Sequence, residues 1–368
     1  MMRIPFLRPN LVKKETYEGY LAKIDESRWY SNYGPLNTLF EQRVLAECFE
    51  NQGAATTVNN ATTGLMLAIS ASKRSGRYAL MPSFTFAATP LAALWCGLEP
   101  YFIDIRPDTW CMDEQRLEEV IKKLGDEVAI VVTYATFGTC LDLSYYRMLH
   151  DSGVPVVVDA AASFGTTDQA SHFGRGFPGA VVFSFHATKA FGIGEGGLVY
   201  SDTQELIATV RQAGNFGFSS ARATMMQGLN GKLLEYAAAV ALATLDDFPR
   251  KIETRRTVYQ WYGQEFQDAG LFDRGWVMHD ARGRVPFQFV SVLCPQGLRN
   301  TDIVQSLNGR CIEGRTYFDP ACHQQPYLSN FPHSDLPVTE EFSKRIVSLP
   351  LWEEMSREDV SEVISALV

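Results

Sequence analysis

Ala180-Val-Val-Phe-Ser-Phe-His-Ala-Thr-Lys189-Ala-Phe-Gly-Ile-Gly-Glu-Gly-Gly197-Leu-Val-Tyr200 is the stretch from which the fold is read. Its first residues, Ala180 to Ser184, form an apolar run suited to a strand covered on both faces. That strand delivers Ser184, His186, Thr188 and Lys189 onto a turn, and the glycines beyond let backbone approach a ligand closely. A lysine is ordinarily a solvated surface residue; stripped of water its pKa falls and its amine can form an imine. Both readings of Lys189 stand on these residues alone. Gly192, Gly194 and Gly197 also spell the G-x-G-x-x-G pattern of dinucleotide-binding loops. That fingerprint must follow a strand and open a helix, whereas these glycines precede the strand Gly197 to Tyr200.

Outward from this stretch, more short apolar runs alternate with helix-like segments: Tyr78 to Met81, Pro100 to Asp104, Val128 to Thr133 and Val154 to Asp159. The alternation predicts an α/β fold, with a parallel or mixed sheet covered on both faces by helices. Thr56 to Ser72 turns from polar residues to a helical pattern, which places Asn59-Asn-Ala-Thr-Thr-Gly64 at a helix N-terminus. Such an end attracts anions, although Asn and Thr there are also simple caps. Asp159 closes an apolar strand at the edge where open α/β sheets bind ligands, and turn or cap duty is its plainer reading. Lys232 to Asp268 is rich in helix formers, and Pro249 predicts that it divides into two successive helices. Val285 to Leu293 is expected as a strand and Ser356 to Val368 as a helix. The division is a large domain over 1–245 and a smaller C-terminal α+β domain over 246–368.

The 368 residues, 46% hydrophobic and 20% charged, suffice for two cores. A net charge of -9 disfavours nucleic acid or an anionic membrane surface as the main partner. The seven cysteines are scattered, odd in number and without a CxxC pair, so they read as buried small residues in a reducing cytosol, with no metal site. No uncharged apolar run is long enough to span a bilayer, and a cytoplasmic protein is expected.

Taken in order, Asn60-Ala-Thr-Thr-Gly-Leu65, Pro82-Ser-Phe-Thr-Phe-Ala-Ala-Thr89, Asp159-Ala-Ala, Ser184-Phe-His-Ala-Thr-Lys189 with Gly194-Glu-Gly-Gly197, and Gly228-Leu-Asn-Gly-Lys232 resemble the DegT/DnrJ/EryC1/StrS sugar aminotransferases. These are fold-type I enzymes that depend on pyridoxal 5'-phosphate (PLP), and the resemblance implies a mixed, mostly parallel sheet flanked by helices in the large domain. The resemblance extends from Tyr33-Gly-Pro35 to Ser348-Leu-Pro-Leu-Trp-Glu-Glu-Met-Ser356. It implies that Lys189 is the Schiff-base lysine and proton carrier, and that Asp159 pairs with the pyridine nitrogen of PLP. It further implies that Phe86 stacks on the cofactor ring and that Ala61, Thr62 and Ser184 form the phosphate cup. Asn230 matches an asparagine that reaches the phosphate of the neighbouring subunit, which makes the active unit a homodimer. His186, Arg315, Tyr317 and His323 match segments that shape the pocket or border the nucleotide sugar, and Arg315 suits a diphosphate or a carboxylate. Three positions depart from the commoner pattern: Ala162 where His or Gln is frequent, Lys232 where Arg is usual, and Asn59-Asn60-Ala61 in place of a glycine-containing loop.

The activity implied is transfer of an amino group from L-glutamate to a nucleotide-linked keto-sugar, with C4 of a 4-keto-6-deoxy sugar favoured over C3. Related dehydratases replace the Schiff-base lysine by histidine, and this chain keeps Lys189. A non-catalytic regulatory role is disfavoured by the retained Lys189, Asp159 and phosphate cup, and by the absence of a helix-turn-helix pattern.

Overall fold

The computed structural model describes residues 2–168 and 171–368. The chain opens with helices α1 (Lys14–Ser27) and α2 (Pro35–Phe49), then strand β1 (Ala54–Val58) and α3 (Ala61–Ser72). Strands and helices then alternate as β2 (Tyr78–Pro82), α4 (Ala88–Trp95), β3 (Glu99–Ile103), α5 (Glu114–Leu124), β4 (Val128–Tyr134), α6 (Ser144–Asp151) and β5 (Val156–Asp159). β6 (Ala180–Ser184), β7 (Gly197–Ser201) and α7 (Gln204–Ala213) lead to the long helix α8 (Glu235–Asp268). The remainder comprises β8 (Val277–Met278), β9 (Val290–Leu293), α9 (Asn300–Gly309), α10 (Pro337–Arg345), β10 (Ile346–Leu349) and α11 (Arg357–Ser365).

The seven-stranded sheet has the order β1-β7-β6-β5-β4-β2-β3, with β7 antiparallel to both its neighbours and the other pairs parallel. The expected α/β class and every apolar run named above are therefore found as strands. β1 was not anticipated, because Ala54-Ala-Thr-Thr-Val58 mixes polar and apolar residues and pairs on one side only. Register matters most for the site. Val58 and Ser184 both stand opposite Gly197, and Tyr134 stands opposite Asp159, so the ends of β1, β4, β5 and β6 share one edge of the sheet.

Two apolar layers cover the sheet. One holds Phe40, Phe49, Phe183, Phe185, Leu242 and Phe248 and engages α2 and α8; the other holds Leu65, Ile69, Ala92, Val182 and Val210 and engages α3, α4 and α7. A third core, with Val258, Tyr262, Phe266, Val292 and Val363, belongs to the C-terminal third. An aromatic cluster of Phe6, Phe84, Trp110, Phe137, Phe289 and Phe342 contains residues of both parts.

Two expectations need correction. Pro249 does not split the segment after Lys232, since α8 runs unbroken through it. An interior proline costs about 3 kcal/mol. Buried side chains on both halves, Leu242 and Phe248 in one core and Val258, Tyr262 and Phe266 in the other, each return about 1.5–3 kcal/mol and outweigh it. The strand expected from Val285 is shorter, starting at Val290. Pro286 lacks the N–H a ladder needs. Phe287 instead stacks on Tyr259 with ring centroids 3.5 Å apart, and its carbonyl accepts from Arg255 Nη1 at 2.8 Å. The cysteines also differ in part from their reading. All seven are free thiols, but Cys96 and Cys140 are half-buried and Cys311 is exposed.

Arg255 Nε donates to Glu353 Oε1 at 2.9 Å, and both side chains are buried. Glu353→Gln keeps an acceptor but removes the charge facing Arg255, and about 2 kcal/mol of stability is expected to be lost in urea unfolding, with an unchanged slope.

Candidate active site

At the shared sheet edge, α3 starts with Asn60 as its cap, the side-chain oxygen accepting from Thr63 N at 2.8 Å. The N–H groups of Ala61 and Thr62 lie in the first helical turn, where no intrahelical acceptor exists and the helix dipole favours an anion. Ser184 closes β6 beside them, and its hydroxyl accepts from His186 N at 3.3 Å. Gly197 faces the same place: a Cβ there would stand 3.1 Å from Ala61 N and 2.8 Å from Phe183 O. A side chain at this position would crowd the Ala61 N–H, and glycine leaves that donor open to an anion.

Asp159 is 3% exposed and ends β5. Its Oδ2 accepts from Thr89 Oγ1 at 2.6 Å and its Oδ1 from Ala161 N at 3.1 Å. Because Thr89 spends its proton on the carboxylate, Thr85, 3.0 Å away, must donate to Thr89 in turn. Burial raises the Asp159 pKa, and the hydrogen bonds from Thr89 and Ala161 and the charge of Lys189 pull it back. Thr89→Val removes a bond to a charged group worth about 1.5–3 kcal/mol. The expected result is about a tenfold to hundredfold loss in kcat/KM, with the acid limb of the pH profile moved to higher pH.

Lys189 follows the turn after β6. Its backbone N–H donates to His186 O at 2.8 Å, and Ala187 N donates to Gly194 O at 2.7 Å, where Gly194 takes a φ of 101° that favours glycine. Lys189 is half-buried. Burial brings its pKa down to about 8, against an opposing pull from Asp159. The amine donates to Gln288 Oε1 at 3.1 Å. Phe86, just before α4, is 58% exposed, so its ring is available to a ligand. A phosphate cup, a buried carboxylate, an exposed ring and a lysine of lowered pKa at one sheet edge are the donor set that PLP requires.

The other sequence-derived positions fall in distinct places. His186 Nδ1 lies 2.8 Å from Thr188 Oγ1, and its Nε2 faces Glu195 at 3.6 Å. Asn230 is exposed and bridges to Asn215, while the neighbouring Gly231 carbonyl accepts from Asn59 N at 2.7 Å. Lys232 donates to Asn215 Oδ1 at 2.9 Å and lies over the Phe216 ring. Arg315 is held by Glu313 Oε1 at 2.9 Å and by the Tyr317 hydroxyl at 2.9 Å, with Phe6 under its guanidinium. His323 is buried, with Nδ1 2.6 Å from Ser83 Oγ, and Cys322 N donates to Ser83 O at 3.0 Å. That contact supports the loop leading from Ser83 to Phe86. Thr89 and Gln288 were not singled out from the sequence. Thr89 lies inside a quoted motif; nothing in the composition around Gln288 marks it.

A model of the DegT/DnrJ/EryC1/StrS aminotransferase family matches residues 12–368. The Mycobacterium tuberculosis H37Rv protein Rv3402c is 34% identical over 376 residues, covering 99% of this chain and 89% of that protein. A solved structure from Bacillus cereus ATCC 10987, assigned to the PLP-dependent aminotransferases, is 50% identical with a TM-score of 0.98, covering 99% of each chain. The structure of DesI with its TDP-sugar product is 32% identical with a TM-score of 0.89, covering 100% of this chain and 92% of that one. Sequence and fold therefore agree, and the chain belongs to the DegT/DnrJ/EryC1/StrS aminotransferase family.

Proposed function

We propose that this aminotransferase, with PLP as its cofactor, takes an amino group from L-glutamate and delivers it to C4 of a nucleotide-linked 4-keto-6-deoxy sugar. The observation that carries the reading is the convergence of the Lys189 amine, the buried Asp159 carboxylate and the α3 N-terminus at one sheet edge. When bound, PLP supplies an electron sink and carries the amino group between donor and acceptor. Ala61, Thr62 and Ser184 bind the phosphate through N–H and O–H donors. Asp159 places a negative charge against the ring nitrogen and holds a proton there. Phe86 covers one ring face and excludes water from it. Lys189, with an amine that is partly neutral near pH 8, takes and returns the proton at the reacting carbon.

In this reading Asn230 completes the cup of a second subunit, so the enzyme is a homodimer with shared sites; the exposure of Asn230 supports it. His186, Tyr317 and Arg315 border the sugar nucleotide. Arg315 would exchange part of its bonding with Glu313 for a substrate phosphate or carboxylate, and His323 acts through the Phe86 loop. The chain is divided at 245/246, supported by the two cores that α8 joins. A cytoplasmic enzyme is supported by seven free thiols and by the finding that no described helix is long and apolar enough to cross a membrane.

The test is to load the enzyme with the amino form of the cofactor and offer UDP-, GDP- and dTDP-linked 3-keto and 4-keto sugars in turn, following the return of the PLP spectrum. A 4-keto-6-deoxy sugar should restore it fastest. Restoration by 3-keto sugars alone moves the position to C3, and restoration by simple keto acids alone removes the sugar assignment. Glutamate should convert the PLP form in the absence of any sugar, giving ping-pong kinetics.

A further inference from the structure

We propose that Gln288 is a positioning residue for Lys189, holding the free amine at the head of a one-way chain of hydrogen bonds that runs through Thr188 to His186. The inference rests on the reading of Lys189 as the lysine that bonds the cofactor. It concerns the part of the cycle in which that amine is released and needs a defined place.

The direction of the chain follows from donor and acceptor chemistry. A protonated Lys189 Nζ has donors and no acceptor, so the group 3.1 Å away must be the oxygen of the Gln288 amide. The Gln288 nitrogen then points to Thr188 Oγ1 at 3.3 Å and donates to it. Thr188 passes its own proton to His186 Nδ1 at 2.8 Å, and the Thr188 backbone N–H also aims at Nδ1, at 3.3 Å. With two donors on Nδ1 the ring carries its proton on Nε2, which faces Glu195 Oε1 at 3.6 Å. No hydrogen bond in the chain requires reversal, and the chain ends on the His186 ring.

Gln288 is well anchored for such a task. It precedes β9, and the carbonyl of the adjacent Phe287 is fixed by the buried Arg255, itself paired with Glu353. The C-terminal third thereby reaches across 99 residues of sequence to place the lysine of the sheet edge. A glutamine suits this better than a carboxylate: it accepts from the amine without adding a charge that would lock it as an ammonium.

The test uses the cofactor-free chain, the rate at which it captures added PLP as read by the growth of the imine absorbance, and calorimetric affinity for pyridoxamine phosphate. Wild-type capture should rise with pH through about 8 as the amine loses its proton. Gln288→Leu should lower the high-pH plateau about tenfold through lost orientation. It should also shift the midpoint to lower pH, because the acceptor that stabilised the ammonium is gone. Affinity for pyridoxamine phosphate, which makes no bond to Lys189, should stay within about twofold, since Gln288 acts on the lysine alone. Thr188→Val should slow capture and Thr188→Ser should restore it, and this pair decides the matter if Gln288→Leu does not fold. Wild-type plateau and midpoint in Gln288→Leu, a parallel loss of affinity for pyridoxamine phosphate, or equal rates in the two Thr188 variants would overturn the inference. A wild-type chain that forms no imine band overturns the reading of Lys189 instead, and this inference with it.

Discussion

Lys189→Ala is expected to lower transamination by at least about 10⁴-fold while leaving the fold intact. The effect is large because the proposed function gives one side chain two tasks, bonding the cofactor and moving the proton at the reacting carbon, and proton transfer alone is worth about 10²–10⁴-fold. Folding should survive for a reason visible in the site. Burial brings the amine's pKa down to about 8, so the fold bears a cost for keeping this group away from water, and alanine removes that cost. Circular dichroism and urea unfolding check the fold, and glutamate-dependent conversion of the cofactor spectrum checks the activity. Lys189→Arg should be equally inactive, since a guanidinium stays charged and forms no imine.

Asp159→Asn is expected to cost about 10²–10³-fold in kcat, the loss associated with removing one preorganised electrostatic partner. Shape is retained, and Ala161 N can still donate to the remaining oxygen. What is lost is the negative charge, since a neutral amide cannot hold a proton on the ring nitrogen. One hydrogen bond must also reverse. Thr89 now donates to Oδ2, and against an amide nitrogen it would have to accept, which disturbs the Thr85 pair behind it. The phosphate cup is untouched, so PLP affinity should fall far less than kcat, and equilibrium titration with PLP alongside steady-state rates separates the two.

Much of this site was legible because its residues come in short local patterns. The strands ending at Asp159 and Ser184 are uninterrupted apolar runs, and Asn60 to Gly64 carries both its cap and its helical pattern within a few residues. What could not be read depends on contacts between distant segments. Gln288 meets Lys189 across 99 residues and Thr89 meets Asp159 across 70, and neither partner is encoded by spacing. The contact of His323 with Ser83 links residues 240 positions apart, and no local pattern announces it. Pro249 carries a strong local signal for a helix end, and it was overridden by apolar packing on both halves of α8. The shortened β9 is the converse case, in which Pro286 withdrew a donor that an apolar pattern ignores.

The central claim is that the amine of Lys189 bonds the cofactor. Adding PLP to the purified chain, reducing with borohydride and mapping the product by peptide mass spectrometry tests it most directly. The expected result is an absorbance band near the visible edge that borohydride abolishes, with the pyridoxyl phosphate mass fixed on the peptide containing Lys189 and absent from Lys189→Ala. A band that fails to form, or a label spread over other lysines with Lys189 unmodified, would contradict it.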